Sequence, residues 1–316
     1  MKKTVQTIIN LLEDEYEIQG NGNDNYVTNV NSTGNADTDS LVWISPTRID
    51  KEQILATTKS KVIIGDHSLS LRGADLENKI LIRVKNPKLV FIKIVNELFV
   101  DVPSFEIDPS AVIHPEATIA NNVHIGPLSY IGKVNIKEGT IIHGNVHIKD
   151  NVSIGENVII QAGCVIGGTG LNFTKDEEGA YHDFPHIGGV IIEDNVEIQA
   201  CNVIDRGVLS DTIIGSKTKI DSFCYIAHNC IIGKENIIIG KTMISGSVKT
   251  GDNCWFGPSS IIRDQLSIGD NCFVGMGSVV TSNLDHNSKV MGNPARPVDD
   301  MKKLLKKFKT YIVDEN

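Results

Sequence analysis

Imidazole is the side chain best suited to moving a proton near neutral pH, because its ordinary pKa lies there. The 316-residue chain carries nine of them. Three stand where chemistry can happen. His228 follows Ile226 by two residues in Ile226-Ala227-His228-Asn229, a spacing that puts it on a turn and not in a core. His182 and His186 lie in the stretch 167–190, which also holds Phe173, Tyr181 and Phe184. Asp205 and Arg206 are adjacent in Asp205-Arg206-Gly207-Val208, an acid and a base suited to ligating sugar or bracing a groove. His143 and His147 are close in sequence but fall in different phases of the repeat described below, so they do not converge on zinc, and no metal is expected. The six cysteines, Cys164, Cys201, Cys224, Cys230, Cys254 and Cys272, form no C-x-x-C pair. That spacing points away from a zinc ribbon or a dithiol redox centre and fits reduced thiols.

What must position these groups is a period of six. Aliphatic residues recur at Ile107, Ile113, Ile119, Ile125 and Ile131, and after a one-residue slip at Ile136, Ile142, Ile148, Ile154, Ile160 and Ile166. The series returns at Ile192, Ile198 and Ile204. It then runs from Ile214 through Ile220, Ile226, Ile232, Ile238, Ile244, Thr250, Phe256, Ile262, Ile268 and Val274 to Val280. A helix repeats at 3.6 and an ordinary strand at 2, so neither explains the pattern. A hexapeptide β-helix does: each short strand points one side chain into a narrow prism, and stacked coils make columns of isoleucine. Glycine often follows the aliphatic residue, as at Gly215 and Gly233, and suits the backbone angles and close approach of a tight turn. The stretch 167–190 and the bulge from Asp205 to Thr212 interrupt the period, and long loops in a regular scaffold often carry function.

The bulk composition agrees. Apolar residues make up 41% of the chain and aromatics only 5%, which favours a thin aliphatic core. A net charge of −9 argues against non-specific nucleic-acid binding, which needs a broad basic surface. No apolar run approaches a membrane span or a signal peptide, so a cytoplasmic location is expected. Residues 1–102 lack the period and read as a small α/β domain, with a boundary near Pro103. Helical spacing occurs at Val5–Leu12 and Val90–Leu98, strands at Leu41–Ile44, Val62–Ile64 and Ile80–Val84, and turns or a loop at 20–40. Residues 103–284 form the β-helix, and 285–316 a loop and a last helix capped by Asp299 or Asp300. One face of that helix carries Met301, Leu304, Leu305, Phe308 and Ile312, the other Lys302, Lys303, Lys306, Lys307 and Lys309. It either packs on a neighbouring subunit or meets an acidic carrier protein or phosphates.

Residues 163–250 closely resemble the UDP-3-O-acylglucosamine N-acyltransferases of lipid A biosynthesis. The matching text is Val190-Ile191-Ile192-Glu193-Asp194-Asn195-Val196-Glu197-Ile198, then Ile204-Asp205-Arg206-Gly207-Val208-Leu209-Ser210-Asp211-Thr212-Ile213-Ile214-Gly215, then Ile226-Ala227-His228-Asn229. A weaker resemblance covers Leu41–Phe99, including Asn86-Pro87. It implies a left-handed coil, an N-terminal nucleotide-binding domain, and a homotrimer with active sites in grooves between subunits. It also implies acyl transfer from a thioester to a sugar amine. The catalytic histidine falls on His228 and the oxyanion-binding backbone N–H on Gly246, while Asp205, Arg206, Asn229, His186 and Trp43 become candidate substrate contacts.

Three departures shape the expected substrates. The family's second active-site histidine aligns near Gln265. Of its uracil-binding aromatic pair, Trp43 matches the first, but Arg48 stands near the second. The tail Gly292-Asn293-Pro294-Ala295-Arg296-Pro297 resembles that of coenzyme-A-dependent sugar acetyltransferases. The expected activity is therefore transfer of an acetyl or 3-hydroxybutyryl group from a coenzyme A thioester, held by Gly257, Arg263 and Arg296. The expected acceptor is a nucleotide-linked amino sugar, such as a dTDP-aminodideoxyhexose for surface polysaccharide. The alternatives are the lipid A enzyme itself, using acyl carrier protein, and a non-catalytic scaffold.

Overall fold

The structure, a computed structural model, describes residues 2–313 apart from 14, 22–24, 74, 102 and 103, and leaves out the side chains of residue 76 and of 308–313. The expected boundary at Pro103, and the side chains of Phe308, Lys309 and Ile312, therefore lie outside the described residues. The chain forms two compact units, 1–102 and 103–316.

In the first unit, five strands run in the order Tyr16–Gln19, Ile80–Val84, Val62–Gly65, Ser40–Trp43 and Asn29–Val30. All neighbours are parallel except the antiparallel edge Tyr16–Gln19. The central strand, Val62–Gly65, is buried along its whole length, as a parallel strand covered on both faces must be. The helix Pro87–Leu98 starts with proline in its first turn and with the Asn86 side chain accepting from Leu89 N–H at 3.2 Å. The stretch 20–40 is more ordered than its composition implies. Tyr26–Val27 pairs with Lys3–Thr4, and Asn29–Val30 joins the sheet. Two-residue strands are too short to show a period.

The second unit is a β-helix whose three faces are sheets of ten, nine and eight strands, parallel except for the last strand of the first. The uninterrupted coils advance eighteen residues, as from Ile226 to Ile244 and on to Ile262. The inward residues from Ile125 to Val280 are buried. At about 1.5–3 kcal/mol for each buried aliphatic side chain, this column dominates the unit's stability. Thr250 fits among them because its hydroxyl accepts from Gly233 N–H (3.0 Å) and the Asn236 amide (3.2 Å). All six cysteines are free thiols, five of them buried. Burial pushes Cys164, Cys224 and Cys254 up to about 11 and Cys230 up to about 12, which makes them poor nucleophiles.

The turns divide their demands differently from the expectation. The left-handed backbone conformation falls three residues after the inward one, on Phe223, Asn229, Glu235, Lys241, Ser247 and Gln265. Gly215 and Gly233 serve close approach instead: a Cβ on Gly215 would come within 2.5 Å of Gly233 C.

The coil also outruns the expected end at residue 284. Leu284 bridges to Ile268, and Val290 stacks on Val274. Arg296–Pro297 folds back antiparallel on Val290–Met291, and the helix Val298–Val313 follows. Asp299 and Asp300 stand in its first turn, paired with Lys302 and Lys303 at 3.5 Å, so they favour the helix through its dipole and not as caps. At the other end Ile107 is 45% exposed, because no coil lies beneath it.

Candidate functional site

The register of the coils puts position two after the inward residue into a column, so that His228, Gly246 and Asp264 stand one coil apart. His228 is half-buried on the turn after the strand Tyr225–Ile226. Gly246 lies directly beside its ring: a Cβ there would come within 2.8 Å of His228 Cε1 and Nε2. Glycine is required by this approach, and the Gly246 N–H bonds to no described residue.

Asn229 settles which nitrogen of His228 is free. Its Oδ1 accepts from Val208 N–H at 3.1 Å, and its Nδ2 donates to Ser210 O at 3.2 Å and Ser210 Oγ at 3.0 Å. With the amide so oriented, His228 Nδ1, 3.0 Å from Oδ1, must be the donor. The neutral ring then keeps its lone pair on Nε2, the edge beside Gly246. Asn229 adopts φ +60° without a glycine, as asparagine tolerates. The bulge 205–212 exists, in effect, to be tied to this side chain.

Behind His228 sits Asp205, buried, accepting from the Tyr225 hydroxyl at 2.5 Å. Burial pushes the Asp205 carboxyl up, against the opposing pull of that hydrogen bond and of the His228 and His186 rings. Burial and the Asp205 carboxyl push the Tyr225 hydroxyl up in turn. The stretch 167–190 forms a hairpin of Phe173–Lys175 and Tyr181–Asp183, with the two aromatic rings edge-on at 4.9 Å. Its return limb brings His186 onto His228, ring centroids 5.4 Å apart and nearly perpendicular. The outgoing limb places Gly170 between them: a Cβ there would lie 3.1 Å from Asp205 Oδ2 and from His228 Cδ2. His182 instead pairs with Asp176 at 2.6 Å, within the hairpin.

His228, Gly246, Asn229, Asp205 and His186 are thus brought together. Arg206 braces rather than faces them. Its Nε donates to Gly167 O and its Nη2 to Asp150 O, both at 2.8 Å, fixing the root of the hairpin. It also borders an open cleft of about 290 Å³ with Tyr130, Lys149 and Thr169. Trp43 belongs to the first unit, half-buried against Phe91 at 6.4 Å. Gln265 holds a left-handed turn and binds Asp264 at 2.8 Å. Among the described residues no three ligands gather for a metal. Sequence reasoning missed Tyr225 and Gly170. Tyr225 had a signal, an aromatic immediately before the inward Ile226. Gly170 had none, since its place depends on how the hairpin folds back.

The family described as bacterial transferase hexapeptide (six repeats) matches residues 133–168 and 247–282. The UDP-3-O-acylglucosamine N-acyltransferase of Coxiella burnetii is 34% identical over 255 residues, 73% of this chain and 71% of its own. That of Wolinella succinogenes is 41% identical over 111 residues, 35% of each chain. The solved UDP-N-acetylglucosamine O-acyltransferase of Moraxella catarrhalis is 24% identical, covers 62% of this chain and 77% of its own, and superposes with a TM-score of 0.57, which shows that the coil is the left-handed β-helix.

These relatives overturn two expectations, the dTDP-linked aminodideoxyhexose and the coenzyme A thioester, since they are named for UDP-3-O-acylglucosamine. The tail that prompted the coenzyme A reading has a structural job. Gly292 N–H donates to Ser278 Oγ (3.1 Å) and Ala295 N–H to Val279 O (2.7 Å), closing the last coil. The three residues assigned to coenzyme A lose their ligand. A Cβ on Gly257 would lie 2.7 Å from Met276 N, so that glycine serves coil packing, and Arg263 and Arg296 are exposed.

Proposed function

The chain belongs to the UDP-3-O-acylglucosamine N-acyltransferase family of hexapeptide-repeat acyltransferases, and from that premise we propose that it acylates the amine of UDP-3-O-acylglucosamine with an acyl group carried as a thioester on acyl carrier protein. The observation that carries the reading is the orientation of His228: its Nδ1–H donates to Asn229 Oδ1, leaving the Nε2 lone pair beside Gly246. The amine nitrogen attacks the thioester carbon, and the carbonyl π pair moves to oxygen, where the Gly246 N–H stabilises it. His228 Nε2 accepts the proton from the new C–N nitrogen. Collapse breaks the C–S bond, and His228 returns that proton to the departing thiolate.

Asn229 is a positioning residue in this scheme, Asp205 supplies negative charge behind the imidazole, and Arg206 holds the hairpin root. Trp43, half-buried with one face toward Phe91, is assigned to the nucleotide base. A homotrimer is part of the proposal. Trp255 and Phe273 stand exposed on one face of the prism, Met243 and Ile261 on another and Ile231 on the third. Apolar faces of this kind favour cover by further copies. Both substrates are cytoplasmic in character, and among the described residues no helix is long and apolar enough to cross a membrane.

The test is purified protein with UDP-3-O-acylglucosamine and either acyl carrier protein or coenzyme A thioesters, read by mass spectrometry. An amide product formed from the carrier-protein donor is expected. Turnover confined to other amino sugars would overturn the reading.

A further inference from the structure

We propose that His186, brought in by the hairpin, is a second proton acceptor and takes the first of two protons that the acceptor amine must lose. The inference rests on the acyl-transfer reading above and adds the group that makes the amine nucleophilic. An amine flanked by electron-withdrawing oxygens has a pKa near that of an α-amino group, about 8, so it arrives at neutral pH largely as ammonium. It must shed one proton before attack and another after. His228 holds one proton at a time, and it must be neutral when the C–N bond forms.

His186 has the required geometry. Its Nδ1 donates to Phe184 O at 3.0 Å, which leaves the lone pair of the neutral ring on Nε2. That Nε2 is buried and has no hydrogen-bond partner among the described residues. An unpaired buried nitrogen is costly unless a ligand bonds it. It points into the same small space as His228 and Asp205. A Cβ on Gly170 would lie 3.4 Å from His186 Nε2, and that glycine also borders Asp205 Oδ2 and His228 Cδ2. The titratable groups facing His186 are therefore His228 and Asp205, with Tyr225 and Cys230 behind Asp205. The Asp205 carboxylate favours a positive charge there, first on the ammonium and then on the imidazolium.

The steps balance. The ammonium gives one proton to His186 Nε2 and becomes an amine. The amine attacks, and the second proton passes through His228 to the thiolate. His186 returns its proton to solvent as the amide leaves. The net reaction converts ammonium and thioester to amide, thiol and one released proton.

The experiment is the pH dependence of kcat/KM for the sugar acceptor in His186→Asn, whose amide retains a donor for Phe184 O but lacks the ring base, and in His186→Gln, with thermal melts on both. The expected loss is about 100-fold near pH 6.5, the low end of what a positioned base contributes. It should shrink to about threefold or less near pH 9, where the amine is already neutral. His228→Ala should show the same loss at both values. A His186 loss that is independent of pH, or no loss in either folded variant, overturns the proposal while wild-type turnover keeps the reading of function. A wild type that does not acylate UDP-3-O-acylglucosamine overturns both. If His186→Asn fails to fold, the His186→Gln profile decides.

Discussion

The coils from 213 to 280 and those from 151 to 212 use the same six-residue unit to different ends. In the later set, backbone N–H groups pass from coil to coil without interruption: Ala227 to Ile244 O, Ser245 to Ile262 O, Arg263 to Val280 O. In the earlier set the ladder slips between Ile166 and Gly168, opposite Ile204 and Asp205. Arg206 repairs the gap with its side chain, and Asn229 reaches back to hold the bulge. The regular coils contribute one ring and one N–H at fixed spacing. The irregular ones contribute Asp205, Gly170 and His186, which close around that ring beside Asn229 and Tyr225 of the regular set. Insertion is thus confined to the coils that border His228, and the stack from 213 to 280 keeps its register.

The sharpest way to break this comparison is to damage the regular stack itself. Ile232→Asp places a charge in a dry prism with no partner, a cost large enough to exceed the stability of a domain. No soluble protein with a cooperative melt is expected. A well-folded variant would show that the column is not the source of stability.

Next come changes that should spare the fold and remove the chemistry. His228→Ala should lower kcat by roughly 10²–10⁴-fold with little change in KM, the signature of a group acting in the transition state. A loss confined to KM would reduce His228 to positioning the sugar. Gly246→Ala should cost about 10²–10³-fold in kcat, because the new methyl overlaps the His228 ring and crowds the N–H meant for the oxyanion. Its melting temperature should stay close to wild type, since the glycine is not left-handed.

The smallest effect lies in the irregular set and has a sign set by pH. Burial raises the Asp205 carboxyl in the folded state. Between the ordinary carboxylate pKa, about 3.9, and the raised value, the folded protein holds a proton that the unfolded chain has lost, so stability falls as pH rises through that window. Asp205→Asn, which can still accept from Tyr225, should therefore melt slightly higher than wild type at neutral pH. The gap should close below the window. An equal shift at every pH would mean that packing, not ionisation, decides.

The period alone carried most of the fold, because a single inward side chain per strand leaves nothing else able to repeat at six. Thr250 kept its place despite its polarity, and Leu284 and Val290 extended the column beyond the point where the phase breaks. The first unit was legible where strands were long and apolar, as at Val62–Gly65, and opaque where two residues made a strand. His228 could be found because it stands beside a fixed register. His186 was a weaker candidate, because the path of a hairpin is a tertiary fact: nothing between Phe184 and Ile187 says which ring it will meet. The tail Gly292–Pro297 misled for the opposite reason, since a sequence that closes a coil looks the same whatever donor is used.

The eighteen-residue advance from Ile226 to Ile244 makes overall length a free parameter of this molecule. Each coil touches only its neighbours, so stability in such a solenoid accumulates nearly additively along the axis. A whole coil spliced in below Ile148, or removed there, leaves the distance from His228 to Gly246 unchanged. A single residue inserted between them shifts the phase of every side chain up to Asp264. Lineages carrying this architecture can therefore grow or shrink in steps of one coil while the reacting pair keeps a separation set by backbone hydrogen bonding alone.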